Sequence, residues 1–331
     1  MNNPTLTDYV HTLCTLFEQF VQANRAYESQ LYTYSNQRMI VLFTILQFRR
    51  IFKFKAQRRW LAEHGEMLAL LGWATLPHRT TLSRRYKQLY DVLQAFVQFV
   101  GQYAGELDKR FRQKHLVADK SPFKALGPVW HQKDRAAGHL PAKLRNLDTD
   151  ATWTKSGYQG WVYGYGLHVT CNDAAFPALV QVETGSVAET KVIDEQETVL
   201  LHHLRPQTVA ADNSYAQARR IRRWAQAGVV LLSPAYKWQQ GRYAQAYHRY
   251  RKLEANAERL RHRRTTIEPL FDLVAKVIGT AARQKQLPVK GLSNVRTCLA
   301  LATLSVQLAM IVNTIWGLPL RNISTITAAL T

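Results

Sequence analysis

Two short apolar runs constrain the fold of this chain more than any other feature. Residues 116–120 read Leu-Val-Ala-Asp-Lys and residues 209–213 read Val-Ala-Ala-Asp-Asn. Unbroken runs of small and branched apolar side chains suit core strands, which lie in sheets covered by helices. Each run closes on an aspartate, Asp119 and Asp212, so a carboxylate is expected at the sheet rim. A single Asp after a strand is ordinarily a turn or cap residue. A third stretch gives the pair company: residues 265–271, Thr-Thr-Ile-Glu-Pro-Leu-Phe, read as the start of a helix carrying Glu268. Three carboxylates from distant segments suit a pair of Mg²⁺ ions, because Mg²⁺ prefers oxygen ligands, keeps several waters and takes one or two carboxylates. Two such ions about 4 Å apart serve phosphoryl transfer, one activating the attacking oxygen and one stabilising the leaving oxygen.

The charge balance points to the substrate. Lys and Arg number 44 against 23 Asp and Glu, a formal charge of +21. Such an excess calls for an anionic partner, most often a nucleic acid. An anionic membrane surface is the competing reading, but no basic amphipathic segment dominates. A hydrophobic fraction of 47% excludes a disordered chain, and 331 residues suffice for two domains. Cys14, Cys171 and Cys298 are isolated and form no CxxC pair. That argues against structural zinc and a disulfide framework, and it fits a reducing, cytoplasmic compartment. No basic segment followed by an apolar run marks a secretory signal. Residues 298–320 are uncharged and long enough to span a bilayer. With Thr303, Ser305, Gln307, Asn313 and Thr314 inside it, the stretch is read as a buried core helix, and no membrane partner is expected.

In chain order, helical spacing covers residues 6–21, 39–48 and 58–71, with Gly72 as a stop and Pro77 in the turn. Thr80 or Thr81 can cap a further helix reaching about Tyr103. Helix, turn and a basic helix make a helix-turn-helix layout, with Arg79, Thr80, Arg84, Arg85 and Lys87 as DNA contacts. A basic, solvated helix face is the bland alternative. An all-helical domain is therefore expected over 1–110 and a second domain over 111–331. Residues 123–157 read as a loop or loose hairpin over the active face. Residues 163–171 and 176–183 read as a hairpin, 189–204 as a helix, 209–212 as a strand, 216–227 as a helix and 229–232 as a strand. The expected class is α/β, a mixed sheet flanked by helices. Between 205 and 264 basic residues crowd, interleaved with Tyr236, Trp238, Tyr243, Tyr247 and Tyr250, a composition suited to phosphates and unstacked bases. Trp130 could stack on a flipped base, but a Trp in a loop more often packs on the core. His131, His139 and His168 have no paired ligand spacing and receive no role. Glu183, Glu189, Asp194 and Asp272 are the rival carboxylates, with Asp272 the strongest.

These residues resemble a known family. The element order is similar to the ribonuclease H-like catalytic fold of the DDE transposases of bacterial insertion sequences. There one Asp lies on the first strand, a second just after the fourth, and a Glu on a later helix. Asp119, Asp212 and Glu268 match those positions. Val-Ala-Ala-Asp-Asn-Ser-Tyr at 209–215 resembles the second-Asp motif, and residues 263–271 resemble the stretch around the Glu. Arg79-Thr80-Thr81-Leu82 is similar to the DNA-binding regions of such proteins. The chain departs at Arg261, where the family often has Tyr, and at Lys276, one residue beyond the common spacing; Arg264 fits. About fifty-five residues separate Asp212 from Glu268, so any insertion there is small. The resemblance implies a transposase that cuts insertion-sequence ends and joins them to target double-stranded DNA with two Mg²⁺ ions, for which Mn²⁺ can substitute. Asp119 would bridge both ions, Asp212 bind one and Glu268 the other. Arg261, Arg264 and Lys276 would contact DNA, and a homodimer would pair two ends in a bacterial, nucleoid-associated setting. Two alternatives stay open: a non-catalytic, domesticated DNA-binding protein, and a metal-dependent nuclease of the same fold.

Overall fold

The strand that carries Asp119 is also the one on which the sheet is assembled. The computed structural model describes residues 3–29, 32–140, 146–157, 159–215, 217–234 and 252–331. Its strands are β1 (His115–Lys124), β2 (Thr152–Ser156), β3 (Gly160–Asn172), β4 (Pro177–Thr184), β5 (Thr208–Ala210) and β6 (Val230–Leu232). β3 pairs antiparallel with β1 from Leu116↔Asn172 to Lys124↔Gly164. On the far edge of β3, β2 and β4 sit end to end, β2 against residues 160–164 and β4 against residues 165–171. On the other side β5 runs parallel to the start of β1, and β6 parallel to β5. The sheet is therefore mixed, in the order β2–β3–β1–β5–β6 with β4 also on β3.

Side chains alternate across a strand, so β1 divides its residues between two cores. Leu116 and Ala118 face α8 (Glu189–Thr198), the π-helical turn Val199–Leu204 that continues it, and α9 (Ala218–Gln226), packing with Leu200, Val209 and Trp224. Val117 and Phe123 face the opposite core, where Ile267 and Leu270 of α10 (Glu254–Val277) meet Leu301 of α11 (Leu292–Ile315). Asp119 alternates with Val117 and so lies on the α10 side.

Before β1 come α1 (Leu6–Ala23), α2 (Asn36–Phe48), α3 (Phe54–Glu63), α4 (Gly65–Leu70), α5 (Arg79–Gln88) and α6 (Tyr90–Leu107). Tyr9, Phe43 and Phe96 from these helices belong to the same buried cluster as Tyr165, Leu270 and Leu301. One core thus runs from the first helix to the sheet. At its centre is α11, the only helix among the described residues long and apolar enough to cross a membrane, with 89% of that window buried inside the protein. Several of its polar side chains bond there, while Gln307 Oε1 has no hydrogen-bond partner among the described residues. Gln307 donates to Val97 O and Pro177 O (both 2.9 Å), and Thr303 and Ser305 bond back one turn along the helix (2.9 and 2.8 Å). Asn313 closes the following turn on Pro319, Leu320 and Asn322 carbonyls. α7 (Gln132–Ala136) and α12 (Ser324–Leu330) complete the described helices.

Several boundaries differ from the sequence expectation. β1 does not close at Asp119 but continues to Lys124, because β3 is long enough to pair with all of it. Pro122 is tolerated because its nitrogen lies on the same side as the Lys124 N–H, which donates away from β3 to Lys285 O (2.8 Å). Residues 123–157 are not a plain loop: they hold the end of β1, α7 and β2. Glu268 lies deep inside α10, not at its start. Pro269 removes one helical hydrogen bond, but buried Ile267, Leu270 and Phe271 carry the helix past it. The helix expected over 58–71 is broken at His64. His78, not Thr80 or Thr81, caps α5, and the backbone breaks at Leu89 before α6 begins.

Candidate active site

β5 stops at Ala210, opposite Val117 of β1. On that side β1 next meets the chain at Lys124, whose N–H bonds Lys285 O (2.8 Å) and whose C=O accepts from Leu287 N (2.9 Å). The intervening stretch of β1 borders a cleft of about 750 Å³. Asp119 lines it from β1, Asp212 from the turn after β5, and Glu268 from α10. Three acids that are remote in sequence thus face one space, joined by Arg264, one turn before Glu268. Two of the rival carboxylates, Glu189 and Asp272, line it as well. The other two are engaged elsewhere: Glu183 takes a two-pronged bond from Arg296 (2.8 Å), and Asp194 pairs with buried Arg220 (2.8 Å).

The β5 turn holds Asp212 firmly. Ser214 donates to Asp212 Oδ1 from its backbone N (2.8 Å) and from Oγ (2.6 Å), and Oγ also meets Glu189 Oε2. One hydroxyl therefore ties the β5 turn to the start of α8. Lys120, on the α8 face, fixes the loop ahead of that helix by donating to Gly185 O (2.8 Å) and Val187 O (2.9 Å). Asp119 accepts from Lys120 N (2.8 Å). Burial pushes its carboxyl up to about 7, and the nearby Glu189 and Asp212 charges add to the rise. Burial also raises Glu189, against the hydrogen bond from Ser214.

The cleft has features that the sequence reading missed. Lys285 is the principal one. Its side chain, 13% exposed, reaches from the turn after α10 to Ser121 Oγ (2.9 Å) and stands 3.9 Å from Asp272 Oδ1. Burial lowers its pKa, and Asp272, Glu268 and Asp119 oppose that shift. No local pattern marks a lysine in a polar turn, since its role depends on the turn folding back onto β1. Lys155 on β2 lines the cleft too. Ser214 was legible in principle, because Asp-x-Ser is a common turn in which the side chain bonds the backbone two residues on.

Other expected DNA contacts are distributed more widely. Arg79, Thr80, Arg84 and Lys87 are exposed on α5, whereas Arg85 is half-buried and donates to Asn36 Oδ1 at the start of α2 (2.6 Å). Arg261 is exposed on α10, two turns before Glu268. Lys276 does not line the cleft. It lines a separate hollow of about 510 Å³ with Arg50, Gly279, Thr280 and Ser324. Trp130 packs on the core, its indole N–H donating to His139 O (3.0 Å). Tyr236, Trp238, Tyr243, Tyr247 and Tyr250 lie outside the described residues.

Residues 110–285 match the family model described as the transposase DDE domain. The chain belongs to the DDE transposase family. No curated protein and no solved structure matches it. The matched span covers just over half the chain and contains Asp119, Asp212, Glu268 and Arg264, with Lys285 as its last residue. DNA is the partner that a transposase implies.

The donor set fits a hard divalent cation. Every acidic group in the cleft offers carboxylate oxygen, and Asp119 is half-buried near two further carboxylates whose charge a cation would offset. Among the described residues, however, no three His, Cys, Asp or Glu side chains already stand close enough together to hold one ion. The fit is one of chemistry, with the remaining ligands left to water and phosphate oxygen, as suits Mg²⁺.

Proposed function

We propose that this transposase cuts DNA and joins the freed end to a target at this cleft, with Asp119, Asp212 and Glu268 holding two Mg²⁺ ions. The observation that carries the reading is the convergence of those three acids, from β1, the β5 turn and α10, on one cleft in a transposase chain. The sheet supports it. Antiparallel β1, β3 and β4 continued by parallel β5 and β6, with helices on both faces, is the arrangement of a ribonuclease H-like fold.

When bound, the ions would activate an attacking oxygen and stabilise a leaving one. The chain's own residues do the positioning. Asp119 offers its carboxylate from the rigid centre of the sheet, Asp212 is held by Ser214, and Glu268 comes from the middle of a long helix. Arg264 presents a forked donor suited to a non-bridging phosphate oxygen, and Lys155 on β2 a point charge in the same cleft. The exposed cations of α5 would hold flanking duplex, and two copies of the chain would pair two element ends.

The test is cleavage and strand transfer on a labelled duplex from the DNA flanking the gene, with Mg²⁺ or Mn²⁺, for wild type and Asp212→Ala. Metal-dependent nicks and joined products should appear with wild type and vanish with the variant, while DNA binding is retained. Cutting by the variant would overturn the assignment. Binding without cutting in either metal would indicate a non-catalytic DNA-binding protein, and cutting without joining a nuclease.

A further inference from the structure

Lys285 touches both walls of the cleft. Its ammonium donates to Ser121 Oγ (2.9 Å) on β1 and stands 5.9 Å from the ring of Phe123 on the same strand. On α10 it lies 5.4 Å from the ring of Phe271 and 3.9 Å from Asp272 Oδ1. Those contacts flank the proposed ligands closely. Ser121 is two residues after Asp119 and on the same strand face, while Asp272 is one turn after Glu268 on the same helix stripe.

The backbone delivers the side chain under constraint. Lys285 has φ +43, in the left-handed region that residues with a β-carbon rarely adopt. The conformation is kept because the same residue's carbonyl accepts from Lys124 N while Leu287 N donates to Lys124 O. Strain of this kind persists where surrounding bonds over-determine it. The turn after α10 is thus fastened to β1 by its main chain, and its lysine side chain reaches back to the helix. The charges of Asp272, Glu268 and Asp119 all act on Lys285, and Arg263 of α10 acts on Asp119 as well.

We propose that Lys285 is a positioning residue, a brace from Ser121 and Phe123 on β1 to Phe271 and Asp272 on α10 that sets where Glu268 stands relative to Asp119. The proposal rests on the reading of those two acids as ligands of divalent ions. It assigns Lys285 no contact with substrate. A long, half-apolar stem with a charged tip suits the place, since the stem lies among rings and the tip finds oxygen.

The test compares wild type, Lys285→Met and Lys285→Arg as the full chain. Free Mn²⁺ is followed by electron paramagnetic resonance without DNA, nicking is measured against Mn²⁺ concentration, duplex binding is measured in Ca²⁺, and backbone hydrogen exchange is mapped by mass spectrometry. Loss of a residue that orients ligands weakens metal affinity by about 10- to 100-fold. Lys285→Met should therefore raise the Mn²⁺ needed for half-maximal binding and nicking by at least about tenfold. Lys285→Arg should recover most of that loss, duplex binding in Ca²⁺ should be unchanged, and exchange should quicken in the peptides around Asp119 and Glu268. Unchanged exchange in Lys285→Met overturns the brace, whatever the metal results. Duplex binding that falls together with nicking also overturns it, making Lys285 a phosphate contact. If exchange quickens but the wild type neither binds Mn²⁺ nor nicks, the brace stands and the metal reading falls.

Discussion

His168 shows how one buried group ties stability to pH. It is 3% exposed, and neither ring nitrogen has a hydrogen-bond partner among the described residues. Its register neighbours across the sheet are Lys120 on β1 and Gln181 on β4. Burial first, and the Lys120 charge second, push its pKa down to about 3. In the unfolded chain the ring titrates near 6.5. Below that pH the unfolded chain takes up a proton that the folded chain refuses. The stabilisation is complete above about 6.5 and is lost as pH falls toward 3. At pH 5 the loss comes to about 2 kcal/mol. Asp119 acts in the opposite sense. With its pKa raised to about 7, it binds a proton more readily when folded, so its contribution grows as pH falls from there toward the ordinary carboxylate range. Comparing wild type with His168→Leu isolates the histidine. Urea melts at pH 7 and pH 5 should show wild type losing about 2 kcal/mol more than the variant; equal losses would clear His168 of the effect. At this scale residue type and strand or helix context single out Asp119, Asp212 and Glu268, and the structure places all three along one cleft. The sequence was silent on Lys285 and on the unpartnered His168 ring, whose surroundings come from elements distant in sequence.

Among the described glycines, Gly164, where β1, β2 and β3 meet, leaves the least room for a side chain. A Cβ there would lie 1.9 Å from Phe123 O and 2.9 Å from Phe123 C, both backbone atoms of β1 with no rotamer to move aside. Gly164→Ala should therefore lose about 3 kcal/mol or more, at the upper end of overpacking effects. Gly157, with nothing within 4 Å of the position a Cβ would take, is the control, and Gly157→Ala should stay within about 0.5 kcal/mol of wild type in the same melts. The contrast also explains what could be read at the level of elements. The hairpin expected over 163–171 and 176–183 is present as β3 and β4, and the helix over 216–227 as α9. Each of those segments carries its own periodicity. β2 was missed because a five-residue strand with Thr, Trp and Lys gains its identity only from its partner, residues 160–164 of β3. The extent of β1 was missed for the same reason: pairing with β3 decides it, not the apolar run that announces it.

For the molecule as a whole, a charge of +21 and the transposase family make DNA the partner, and the proposed contact of α5 with the duplex can be tested residue by residue. α5 shares the core with the sheet through Leu82 and Tyr86, so cations on its outer face have a fixed place relative to the cleft. Not all of them are available. Arg84 and Lys87 are exposed, while Arg85 is turned inward onto Asn36 at the first turn of α2. Burial lowers the pKa of Arg85, and the neighbouring Arg84 charge adds to that. The two adjacent arginines should therefore behave differently on truncation. Each phosphate contact releases roughly one counterion, so losing one contact lowers the slope of log affinity against log salt by about 1. Arg84→Ala should show that change in slope with an unaltered melting temperature. Arg85→Ala should leave the slope near that of wild type but lose about 1–3 kcal/mol of stability, because Asn36 is left without its charged donor. Binding of a generic duplex from about 50 to 200 mM salt, beside thermal melts, measures both quantities. A slope change in Arg85→Ala equal to that in Arg84→Ala would mean that the α2–α5 contact opens on DNA, and that the basic face includes the inward arginine once the duplex is bound.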